Sequence, residues 1–160
     1  MKLRTAEQLS DRLSNELAWR KKELSEVKSL VETKTFSPSK HKALIRSAIC
    51  LLYAHWEGFV RLAANSYLEY VRMQKLSYKK LANNFLALAM KDKLKEAKET
   101  NKPSLYIPVC DFFLDELNQR CKLPEDVIST ASNLSSEILK EITHILGIDF
   151  SPYSTKSNLI

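Results

Sequence analysis

Between Ala43 and Ala64 the chain is apolar at most positions, and the strongly polar side chains that interrupt it are Arg46, Ser47, His55, Glu57 and Arg61. A charge set among apolar neighbours costs on the order of several kcal/mol unless it is paired or hydrogen-bonded, so these residues need either partners or a task. Histidine exchanges its proton near neutral pH, which lets His55 serve as a general base or acid, while Arg46 or Arg61 can steady a phosphate. A purely structural arrangement competes with that chemistry. In it His55 is a core histidine bonded to a backbone carbonyl, and Glu57 pairs with Arg61 one turn on, sharing the charge with Arg46 from another turn or another subunit.

Helical geometry sorts the four residues. At about 100° per residue, Arg46, Tyr53 and Glu57 fall within roughly 20° of one line, and Arg61 continues it one turn beyond Glu57. His55 lies nine positions after Arg46 and faces roughly the opposite way, among Ala48, Leu51, Leu52, Phe59 and Leu62. Within one straight helix, therefore, Arg46 and His55 cannot meet at a common atom.

The element that must carry them is a long helix over about residues 39 to 74, apolar on nearly every side and thus expected to be surrounded by neighbours. Before it, Thr5 and Gln8 have capping-box spacing, and Leu9, Leu13, Leu17, Leu24, Val27, Leu30 and Val31 recur at helical intervals, predicting a first helix from Ala6 to Glu32 with Glu16, Arg20 and Glu23 on the wet face. Pro38 breaks the chain and Ser39 can cap the long helix. Ser77 can cap a third helix through Tyr78, Leu81, Phe85 and Leu88, fading before Asn101-Lys102-Pro103. Pro108 to about Cys121 reads as helical, Pro124 opens a turn, and Leu134 to Leu146 is a last amphipathic helix with Ser132 or Asn133 as cap and Gly147 as stop.

With 160 residues and only two glycines, the chain fits one all-α domain, a bundle of about five helices around the long central one over residues 1–150, with a polar tail at 151–160. Charges recur every few positions in the opening segment, and the apolar run carries embedded charges, which argues against a signal peptide, a membrane span or any membrane partner. The expected place is the cytoplasm. Cys50, Cys110 and Cys121 form no CxxC pair, which fits a reducing compartment, and His41, His55 and His144 have no ligand spacing, so neither a metal nor another cofactor is expected.

Charge is polarised along the chain. Residues 72 to 102 hold nine Lys or Arg against three Asp or Glu, whereas residues 103 to 160 hold four against eight. The basic middle makes Lys79, Lys80, Lys91, Lys93, Lys95 and Lys98 candidates for contact with nucleic-acid phosphates, although lysine-rich solvated helices are common without any such ligand.

The run Arg46-Ser47-Ala48-Ile49-Cys50-Leu51-Leu52-Tyr53-Ala54-His55-Trp56-Glu57-Gly58-Phe59-Val60, with Tyr67, Ser132-Asn133-Leu134 and Leu146-Gly147-Ile148-Asp149, resembles a bacterial branch of the HEPN superfamily over roughly residues 5 to 150. The resemblance implies an α-helical bundle, a homodimer, and in many members a metal-independent endoribonuclease of toxin–antitoxin or phage-defence systems, with an antitoxin or other operon-encoded protein as a partner. Active members carry Arg, four to six residues, then His. Here eight residues separate Arg46 from His55. The catalytic pair implied by the resemblance, Arg46 and His55, joined in the candidate set by Glu57 and Arg61 of the polar seam, therefore requires two helices or two subunits to converge; otherwise the chain is a non-catalytic dimerisation or interaction module. A two-fold homodimer would bring a second apolar wall to the central helix and Arg46 of one copy towards His55 or Glu57 of the other.

Overall fold

The computed structural model describes residues 2–33, 35–98, 102–125, 127–130 and 133–154. Two long antiparallel helices dominate it. Helix α1, Ala6–Glu32, starts at a complete capping box, with the Thr5 hydroxyl accepting from the Gln8 N–H at 3.1 Å and the Gln8 side chain returning to the Thr5 N–H. Helix α2, Pro38–Met73, is the long central element; it begins two residues earlier than Ser39 capping implies, with Ser37 at the N-cap and Pro38 in the first turn, where its missing N–H costs nothing. The chain before α1 is tied to the far end of α2: the Leu3 N–H donates to Glu69 at 3.3 Å and Gln74 donates to the Arg4 carbonyl at 3.1 Å.

After α2 the helical pattern is more broken than the spacing predicts. Ser77 precedes only a 3-10 turn, Tyr78–Lys80, and helix α3 runs Asn83–Lys98. Backbone bonds from Tyr78 to Gln119, Lys79 to Leu117 and Cys121 to Leu76 pin that turn to the 117–121 segment, which is why the third helix does not start at Ser77. A 3-10 turn, Pro103–Tyr106, leads in, and the expected helix from Pro108 to Cys121 is reduced to a short α4, Ile107–Asp111, and a π turn, Phe112–Glu116. Helix α5, Ser136–Leu146, is capped by the Ser135 hydroxyl rather than by Asn133 or by Ser132, the latter outside the described residues. Gly147 ends it with φ +69°, and the Ile148 N–H reaches back to the Thr143 carbonyl at 2.8 Å, a left-handed stop that a side chain would strain. Of the expected polar tail, Ser151–Ser154 form the short α6 and residues 155–160 lie outside the described residues.

The core gathers at one end. Ala64, Leu68 and Val71 of α2 join Phe85, Leu88 and Met90 of α3, Ile142 and Leu146 of α5, and Phe112, Leu123, Ile128 and Leu134 between them. Helix α1 buries no residue completely. The expectation that α2 is covered all round therefore fails over its first half, where Ile45, Ile49 and Leu52 are exposed. Among the described residues no helix is long and apolar enough to cross a membrane.

Candidate functional site

His55 is 6% exposed, and what covers it comes from α1. Glu16, Trp19, Arg20 and Glu23 stand at i, i+3, i+4 and i+7, one stripe of that helix, and the stripe faces α2. The Arg20 guanidinium approaches His55 Nδ1 at 3.4 Å and donates to the His55 carbonyl at 3.2 Å. Arginine has no acceptor to offer, so Nδ1 faces it as an acceptor and the ring proton of neutral His55 belongs on Nε2. That nitrogen lies 2.9 Å from Glu23 Oε2, out of line for a hydrogen bond, and it has no hydrogen-bond partner among the described residues.

Two further contacts fix the arginine. Glu16 pairs with Arg20 at 3.4 Å and accepts from the Trp19 indole N–H at 2.9 Å, while the guanidinium carbon stands 4.6 Å from the Trp19 ring centre in a cation–π contact. The Trp19 ring meets the imidazole edge-on at 5.3 Å. Room for all this comes from Gly58, one turn after His55: a Cβ there would stand 3.2 Å from Arg20 Nη1. Glycine inside a helix costs about 0.5–1 kcal/mol relative to alanine, and here its bare backbone admits the guanidinium.

Placing Arg20 on the wet face of the first helix is corrected by this arrangement, since only 13% of its side chain remains exposed. A signal for it exists in the sequence. Leu13, Arg20 and Val27 are seven apart, so Arg20 occupies the seat of a core residue in the apolar stripe of α1.

The other residues of the polar seam go elsewhere. Glu57 accepts from the Thr130 hydroxyl at 2.6 Å, and the Tyr53 hydroxyl accepts from the Leu134 N–H, so the two hold Thr130 and Leu134 against α2. Burial holds the Tyr53 hydroxyl above its ordinary value of 10.0 and the Glu57 carboxylate pushes the same way, against the Leu134 N–H. Arg46 and Arg61 are exposed, and among the described residues no ion pair joins Glu57 to Arg61. On α3, Lys91, Lys95 and Lys98 share one exposed face, whereas Lys93 turns to Glu116 at 3.6 Å and sits over the Phe112 ring; Lys79 and Lys80 are exposed in the preceding turn. Among the described residues no group of three or more His, Cys, Asp and Glu side chains is placed to hold a metal ion.

A sequence model of the HEPN_MAE_28990-like HEPN family matches residues 9–160. The chain belongs to that family. The match takes in α1 from Leu9 onward and all of α2, and hence Arg20, His55 and Gly58. Family membership accords with the all-α architecture and points to a nuclease or RNA-related role. No curated protein and no solved structure matches the chain.

Proposed function

We propose that this HEPN protein is a cytoplasmic, metal-independent endoribonuclease of a toxin–antitoxin or phage-defence system, with His55 and Arg20 at its reactive centre. The observation that carries the reading is the contact of the Arg20 guanidinium with the His55 imidazole: an Arg–His pair whose members come from two helices. His55 takes the proton of a 2′-hydroxyl as the 2′-oxygen bonds to phosphorus. The bond from phosphorus to the 5′-oxygen breaks, and that oxygen receives a proton from His55 of a second copy or from solvent. Arg20 offsets the charge that builds on the phosphate oxygens, Glu23 steadies the imidazolium, and Glu57 acts at one remove by holding Thr130.

Two features extend the reading. An apolar groove of about 430 Å³, lined by Leu24, Val27 and Val31 of α1 and Ile45, Ile49 and Leu52 of α2, lies beside the cluster, with Ile49 61% and Leu52 55% exposed. A second copy of the chain covers it about a two-fold axis, forming a homodimer with Arg46 at the rim of the interface. The exposed lysines, Lys79, Lys80, Lys91, Lys95 and Lys98, attract RNA at long range. The burial of His55 favours a second reading, a non-catalytic dimerisation module in which the cluster locks α1 to α2; under the first reading that lock opens before chemistry.

Incubation with mixed RNA in EDTA separates the two. Cleavage that disappears in His55→Ala and falls sharply in Arg20→Gln, with far-UV CD unchanged, supports the nuclease. Absence of cleavage by a folded dimer leaves the module. Light scattering tests the dimer directly, and a monomer at micromolar concentration removes it.

A further inference from the structure

A second concavity lies on the other side of Gly58. It has a volume of about 410 Å³ and is lined by Arg12 of α1, by Gly58, Arg61, Glu69 and Arg72 of α2, and by Glu125. We propose that this cleft binds the phosphates of a single-stranded RNA segment leading away from the cleavage position; the proposal rests on the ribonuclease reading of His55. Arg61 and Arg72 are eleven residues apart, which sets them within roughly 20° of one line of α2 and about 16 Å apart along its axis. Arg12 faces them from α1. Planar guanidinium groups match phosphate oxygens two at a time, so the cleft offers three seats along a strand rather than one point of charge.

The two carboxylates do not close it. Glu69 accepts from the buried Leu3 N–H at 3.3 Å. Glu125 pairs with Arg72 at 2.9 Å, but its carboxylate is exposed, and a surface pair of this kind yields to an incoming phosphate at little cost. Neither Arg12 nor Arg61 has an ion-pair partner among the described residues. Gly58 lines the cleft, and the Arg20 guanidinium rests against the same glycine, so a strand in the cleft passes next to the His55 cluster. Among the described residues no aromatic side chain lines the cleft, so these offer no platform for base stacking, and binding there tracks the backbone with little base preference.

The test uses the wild-type chain and a short fluorescent oligonucleotide carrying 2′-O-methyl groups, which 2′-attack cannot cleave. Its affinity is measured by anisotropy across a range of salt. Arg61→Gln is expected to weaken binding several-fold and to lower the slope of log affinity against log salt by about 1, and Arg12→Gln with Arg61→Gln to lower it by about 2, equally for uridine-rich and adenosine-rich oligonucleotides. Both positions are surface side chains, and thermal melts check that the variants fold. Measurable binding with unchanged affinity and slope in the double variant overturns the cleft and leaves the ribonuclease reading intact. Binding that the substitutions weaken, from a protein that cleaves no unmodified RNA in EDTA, supports the cleft and sinks the ribonuclease. A chain that does not bind the oligonucleotide even at low salt overturns the cleft.

Discussion

From Ile45 to Leu52, α2 turns Ile45, Ile49 and Leu52 to solvent beside the apolar stripe of α1, whereas from Ala64 to Val71 the same helix buries Ala64, Leu68 and Val71 against α3, α5 and Phe112. Both stretches are rich in apolar side chains. The difference lies in what the rest of the chain supplies: α3, α5 and Phe112 gather at the second half of α2, whereas the stretch from Ile45 to Leu52 meets the single apolar stripe of α1. His55 sits where the two regimes meet. There α1 answers with Trp19, Arg20 and Glu23 instead of leucines, so a titratable ring is buried among charges at the edge of the covered region.

The largest effect is expected from a matched pair of truncations in the two halves of α2. Leu68→Ala is expected to cost about 2–5 kcal/mol in urea denaturation, while Leu52→Ala, read in dilute protein, stays within about 0.5 kcal/mol of wild type. Equal losses in the two variants would mean that the first half of α2 is already packed in a single chain. A smaller effect is expected at the bonds that anchor Thr130 and Leu134. Thr130→Val, which strips the 2.6 Å hydrogen bond from Glu57, should cost about 1 kcal/mol and leave the exposed half of α2 untouched.

Gly58→Ala probes the boundary itself. Alanine favours the helix by up to about 1 kcal/mol, yet its methyl group crowds Arg20 Nη1. The expected result is a melting temperature equal to or above that of wild type together with reduced RNA cleavage and a displaced His55 imidazole resonance. A variant that keeps full cleavage would show that the position of Arg20 is unimportant.

The smallest effect concerns pH. Burial pushes the Cys121 thiol from 9.0 up to about 11, and the Tyr53 hydroxyl is raised as well. Both groups ionise in the unfolded chain first. The stability they contribute is thus complete below about pH 9 and declines as pH rises through the folded value, which urea midpoints on either side of pH 9 will register. In the same samples iodoacetamide should modify the exposed Cys50 and Cys110 quickly and Cys121 slowly.

Local signals fixed much of this protein. The Thr5 and Gln8 capping box, the α1 stripe, the Pro38 break and the Gly147 stop each act over a few residues, and the corresponding ends of α1, α2 and α5 are legible from them. His55 also stands out by itself, as a titratable residue in an apolar run. What tertiary structure alone decided is which side chain meets it. Arg46 and Arg61 lie nearer to His55 in sequence, but a helix turns them away, and the contact falls to Arg20, thirty-five positions earlier, because antiparallel packing of α1 on α2 sets its stripe opposite His55 and Gly58. The end of the helical segment before Cys121 has the same origin: backbone pairing of Leu117, Gln119 and Cys121 with residues 76–79 captures carbonyls and an N–H that a continuous helix would have used, and no local propensity records a partner about forty residues away.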